Sequence, residues 1–121
     1  MNIAQPFSAG GVDAVKAELA GGSLVLYSCQ RPASPEDHVL RNGALATFTF
    51  AAPAFDGSGA AAFVENPVTV VAVGTPGFAR AYKADGTVVA DFWIGTKDAD
   101  ITLKEISASV DYPISVTTFK L

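Results

Sequence analysis

The chain has 121 residues, half of them apolar, with 8 basic against 12 acidic side chains and a formal charge of -4. One domain of ordinary size fits that length, the apolar runs fall far short of the roughly 20 residues that cross a bilayer, and no cluster of Lys and Arg offers the patch that phosphate neutralisation needs. Membrane insertion and nucleic-acid binding are therefore set aside, and the single cysteine, Cys29, allows neither an internal disulfide nor a thiolate zinc site.

The opening Met1-Asn2-Ile3-Ala4-Gln5-Pro6 has neither the basic region nor the apolar run of a cleaved export signal. Residues 1–11 read as an arm that becomes ordered only against a neighbouring subunit. Val12, Val15 and Leu19 recur at helical spacing, so residues 12–20 are a predicted helix that Gly21-Gly22 stops. It is too short to be stable alone and must dock. The division is an N-terminal arm and helix over residues 1–22 and a β domain over residues 23–121.

From Ser23 onward, short β-rich runs alternate with Gly, Pro, Asn and Asp at intervals of about ten residues, the spacing of an all-β antiparallel sandwich or barrel. The predicted strands are residues 24–29, 43–51, 60–64, 67–73, 78–84, 87–94, 101–106 and 114–121. Residues 30–42, with Pro32 and Pro35, read as an exposed loop. Within 43–51, Ala46, Phe48 and Phe50 share one face, which should be inside. Asp85-Gly86 between alternating runs predicts a two-residue hairpin turn with positive φ at both positions. No helix long enough for a parallel crossover separates any two strands. The expected fold is an all-β antiparallel β-sandwich, jelly-roll or Ig-like, of seven or eight strands with a short N-terminal helix.

Ser23-Leu24-Val25-Leu26-Tyr27-Ser28 followed by Arg31-Pro32, then Gly43-Ala44-Leu45-Ala46-Thr47-Phe48 and Ala52-Pro53-Ala54-Phe55, resembles a group of small virion proteins of tailed bacteriophages. Gly74-Thr75-Pro76-Gly77-Phe78-Ala79-Arg80, Asp85-Gly86-Thr87-Val88-Val89, Ile94-Gly95-Thr96 with Ala99-Asp100-Ile101-Thr102-Leu103, and Ile114-Ser115-Val116-Thr117-Thr118-Phe119 continue that pattern in order. Lys97-Asp98 depart from it, standing where relatives commonly carry a glycine turn. The resemblance covers about residues 23–121 and implies a β-sandwich that acts by assembly. The expected roles are a capsid decoration or cement protein, or a head-tail or tail component, made in the host cytoplasm and carried in the virion. Its partners would be further copies of itself and major capsid or other virion proteins. The charged fraction of 17% agrees, being low for a small domain whose whole surface meets water.

Other chemistry is weighed against this. Asp98 and Asp100, with Asp91 and Glu105, lack the spacing and glycine of a calcium loop. His38 near Cys29 or Ser34 has no orienting third group and no oxyanion hole, so no catalytic residue and no cofactor is assigned and the chain is read as no enzyme. The candidate contact residues are Trp93, Tyr82, Tyr112, Arg80 and His38. Phe92 and Trp93 must face opposite ways, and Arg80 has a cross-strand partner in Asp91. A carbohydrate-binding module, with Trp93 and Tyr82 or Tyr112 as a stacking platform, is the alternative from another class.

Overall fold

A computed structural model describes residues 1–28, 34–36, 44–97, 99–104 and 109–121. Among these residues the chain order is β1 (Asn2–Ile3), α1 (Gln5–Ser8), α2 (Gly11–Glu18), β2 (Ser23–Tyr27), β3 (Ala44–Phe55), β4 (Ala61–Phe63), β5 (Val68–Thr69), β6 (Phe78–Tyr82), β7 (Val88–Gly95), β8 (Ile101–Leu103), β9 (Pro113–Ile114) and β10 (Val116–Phe119). Alternation decides the core as expected along β3, where Ala46, Phe48 and Phe50 are buried while Thr47 and Thr49 are exposed. Leu24 and Leu26 of β2, Ala79 and Ala81 of β6, and Phe92 of β7 join the same core.

The strands run β10-β8-β7-β6-β2-β3-β4 in one mixed sheet, and β5 and β9 form a small second one. The β class therefore holds, but the pairing does not draw a clear two-sheet sandwich. The two edge strands of the large sheet curl towards each other and nearly close a barrel, because Ala60 bridges Lys120 and the Leu121 N–H donates to the Gly59 carbonyl at 3.0 Å. The approach is close enough that a Cβ at Gly59 would stand 2.4 Å from the Leu121 carbonyl oxygen. At the other end of this seam the Asn66 side chain replaces a peptide group. Its Nδ2 donates to the Val116 carbonyl at 2.9 Å and its Oδ1 accepts from the Val116 N–H at 3.0 Å.

Four local expectations are corrected. The arm orders against its own chain: Asn2 and Ile3 pair with Asp91 and Ala90 of β7, and the Ala4 N–H donates to Val89 at 2.7 Å. A second helix, α1, precedes the predicted one; Pro6 suits its first turn, where no N–H partner is needed. β3 runs on through Pro53 to Phe55, with irregular pairing between Phe50 and Phe55 that accommodates a residue lacking an N–H. The turn comes later, where Asp56 Oδ1 accepts from the Ser58 N–H at 2.8 Å and the Ala60 N–H at 3.1 Å. Finally, Ile101 and Thr102 lie parallel to Ile94 and Gly95, with only a short link between. This is possible because β1 occupies the earlier part of that edge of β7 and the parallel ladder is only two residues long.

Between β6 and β7 the expected hairpin forms, but through a three-residue loop. Gly86 N–H donates to the Lys83 carbonyl at 2.9 Å, Lys83 N–H donates to Thr87 at 2.8 Å, and Gly86 has φ +92 while Asp85 does not share a positive φ. This is a turn followed by one left-handed residue, the next most frequent hairpin connection. Nothing stands within 4 Å of a Cβ built on Gly86, so the cost of a side chain there is conformational alone. Gly86→Val is expected to lose about 1–2 kcal/mol; an unchanged urea midpoint would refute the turn.

The helices dock on the barrel. Val15 and Leu19 enter the core, and Lys83 Nζ meets Glu18 Oε2 at 3.0 Å.

Candidate functional site

Two surfaces carry the candidate residues. The first is the outward face of β2, β6 and β7. Register aligns Tyr27, Phe78 and Trp93 in one row across the three strands, and Val25, Arg80 and Asp91 in the next. Arg80 and Asp91 are the expected cross-strand pair: Nε donates to Oδ1 at 2.7 Å and Nη2 to Oδ2 at 3.0 Å. Both are buried, at 3% and 0% exposure. Burial pulls the guanidinium pKa down, but the hydrogen bonds and charge of Asp91 more than offset this and hold it above its ordinary value.

Next to this pair the Tyr27 and Tyr82 hydroxyls share a hydrogen bond of 2.6 Å, and the Tyr27 ring stacks on Phe78 with centroids 5.2 Å apart. Burial first, and the bond to Tyr27 second, push the Tyr82 hydroxyl well above the usual tyrosine range. The proton therefore stays on, and this is a satisfied polar cluster rather than an acid or base poised near neutrality. β6 is thus buried on both faces, small Ala79 and Ala81 towards the core and Phe78 and Arg80 away from it.

Trp93 lies at the open end of this face, half exposed, while Phe92 points into the core as its neighbour must. Asp100 Oδ2 accepts the Trp93 N–H at 3.0 Å and meets the Met1 ammonium at 3.0 Å. Asp100 therefore secures the point where β1 gives way to β8 along β7. Asp91 is committed to Arg80, and among the described residues no group of three or more His, Cys, Asp or Glu could hold a metal. Asp98, Glu105, Cys29 and His38 lie outside the described residues.

Glu36 makes the other polar link. Its Oε1 accepts the Gln5 N–H at 2.6 Å and its Oε2 accepts the Ser34 hydroxyl. The Gln5 N–H, then Ser34, hold this exposed carboxyl below its ordinary range.

The structure brings Arg80, Tyr82 and Trp93 onto one sheet face and sets Tyr112 apart. Tyr112 belongs to the second surface, built around β3, β5 and β9. Residues 44–55, 66–79 and 112–119 contain no Asp, Glu, Lys, Arg or His. The fold places these three stretches side by side. Val71 N–H donates to the Leu45 carbonyl at 2.9 Å, Val70 N–H to Tyr112 at 3.0 Å, and Thr69 pairs with Pro113. Val64, Val71, Val73 and Tyr112 are 67%, 68%, 74% and 68% exposed. Beside them Thr47, Thr49, Val64, Glu65 and Val68 line a shallow groove of about 260 Å³.

The sequence pattern reads residues 67–73 as one strand and does not mark Val64, Val71 or Val73, whereas only Val68–Thr69 form a strand and the chain bends at Ala72. The available signal was the coincidence of uncharged stretches, which acquires meaning only once they are adjacent. No protein-family model, characterised relative or solved structure matches the chain.

Proposed function

We propose that this chain is a structural protein of a tailed-phage virion that works by binding other protein surfaces, as a capsid decoration or cement protein. The observation that carries the binding reading is the exposure of Val64, Val71, Val73 and Tyr112 on a surface drawn largely from stretches without charged side chains, Glu65 being the acidic residue in its groove. Contiguous apolar area of this kind marks interaction sites in soluble domains, and permanent interfaces are depleted in charge at their centres. The virion assignment rests on the resemblance described above, which spans the whole β domain. Binding rather than chemistry is also the reading that suits the polar cluster, since Arg80, Asp91, Tyr27 and Tyr82 are engaged with one another.

Co-sedimentation with capsids and with tails, separately, tests the proposal. Capsid binding is the expected result, and occupied capsids should survive heating better, because a protein that binds only the intact lattice stabilises it by mass action. Binding to tails alone would move the assignment to a tail component, and binding to neither would overturn the virion reading.

A further inference from the structure

We infer that Tyr27 and Tyr82 form an oxidative cross-linking site, at which a one-electron oxidant joins β2 to β6 through a carbon–carbon bond between their rings. The reaction modifies the chain itself and is independent of the virion reading.

Strand pairing builds the site. β6 runs antiparallel to β2 with Ser23 opposite Tyr82 and Tyr27 opposite Phe78, so the two tyrosines stand at opposite ends of one ladder and on the same sheet face. They are 55 positions apart in the chain, yet their hydroxyls meet at 2.6 Å, and either can donate. The Tyr27 ring is held by stacking on Phe78, and β2 and β6 are each paired on both edges. Two phenols are thus fixed tip to tip before any reaction, the kind of placement that gives a neighbouring group a high effective concentration. Both side chains are half-buried, which favours this neighbour over a second chain as coupling partner.

The chemistry needs these two residues and an oxidant. Each phenol gives one electron to the oxidant and its hydroxyl proton to water, leaving a radical shared between the oxygen and the ring carbons ortho to it. The two radicals combine at ortho carbons, and the hydrogen on each of those carbons then moves to the ring oxygen, which restores two phenols. The product lacks two hydrogens and carries its hydroxyls side by side about the new bond. The hydrogen bond between Tyr27 and Tyr82 is therefore a contact that the product retains. Arg80 stays paired with Asp91 and takes no part. Tyr112, the third tyrosine of the chain, is 68% exposed on the other surface and is the one placed to couple between molecules.

Photo-oxidation of the full chain by ruthenium tris-bipyridyl, with persulfate as the electron acceptor, tests this in dilute solution. The expected product is a monomer with the blue fluorescence of a biphenol. Trypsin passes Arg31 because Pro32 follows it, so the diagnostic species is residues 17–41 joined to Ala81-Tyr82-Lys83, less two hydrogens. The bond closes a long loop in the unfolded chain, so the urea midpoint of the cross-linked monomer should rise. Tyr27→Phe and Tyr82→Phe should each abolish the joined peptide, whereas Tyr112→Phe should leave it, with circular dichroism confirming that each variant is folded. Oxidation in urea should scatter the coupling over all three tyrosines. Absence of the joined peptide from folded, oxidised wild type, coupling that runs through Tyr112 alone, or an equal yield of joined peptide in urea would overturn the inference.

Discussion

Asp91→Ala should remove about 3–5 kcal/mol of folding stability, the cost of leaving one member of a buried ion pair without the other. The readout is a lower urea midpoint at unchanged slope. Arg80 and Asp91 face each other by strand register, make two parallel hydrogen bonds and are almost wholly shielded from water. With alanine at 91 the guanidinium keeps its other neighbours, among them the Phe78 ring, 5.7 Å from its central carbon, and a ring face returns only about 0.5–2 kcal/mol to a cation. Removing both charges is a different experiment. Arg80→Met with Asp91→Leu replaces the pair by apolar groups of similar bulk and abolishes the desolvation cost along with the attraction, so most of the lost stability should return. A double variant that loses the full sum of the two single losses would show that the pair is not coupled.

This pair also shows how far the sequence could be read. Arg80 and Asp91 lie in alternating runs on either side of Asp85-Gly86, so a hairpin alone suggests that they face each other. Which residue meets which depends on loop length, and the loop here has three residues where the dipeptide suggested two. Irregular pairing between Ala81 and Tyr82 keeps Arg80 opposite Asp91. Ala46, Phe48 and Phe50 were legible because their alternation is strict and their partners are polar threonines. The run around Val70 was not, because all of its residues are apolar or nearly so. Periodicity shows that neighbours point opposite ways without showing whether both sides are covered, and here one side is open. The arm is illegible for the opposite reason: Asn2 and Ile3 are too few to carry a pattern, and their pairing depends on an edge of β7 that only the folded sheet defines. Closure of the sheet was equally out of reach, since it rests on Gly59 and Asn66, single residues whose roles arise from what stands opposite them.

That closure makes Phe119→Ala the second large loss, expected at about 3–5 kcal/mol. Phe119 is the buried aromatic of the closing strand, and its ring touches residues from both sides of the barrel. Phe92 of β7 lies 4.9 Å away between centroids, Phe55 of β3 lies 5.5 Å away, and Phe50 lies 6.3 Å away. The first two contacts are edge-on, at 72° and 82°, the geometry in which a ring pair adds about 0.5–1.5 kcal/mol to its area burial. Alanine would leave a cavity bounded by other rings that cannot all collapse into it, whereas Phe119→Leu refills much of the volume and should cost clearly less. Both variants need comparison at one protein concentration, since self-association would couple stability to concentration. The loss should also be uneven. The tie between β4 and β10 consists of the Ala60–Lys120 bridge, the Leu121 bond to Gly59 and the Asn66 clamp. Without the ring beneath them, the amides of β10 should exchange with solvent before those of β2 and β6, which are paired on both edges. Uniform exchange across the sheet, or a stability loss below about 1 kcal/mol, would mean that the barrel does not depend on this seam for its closure.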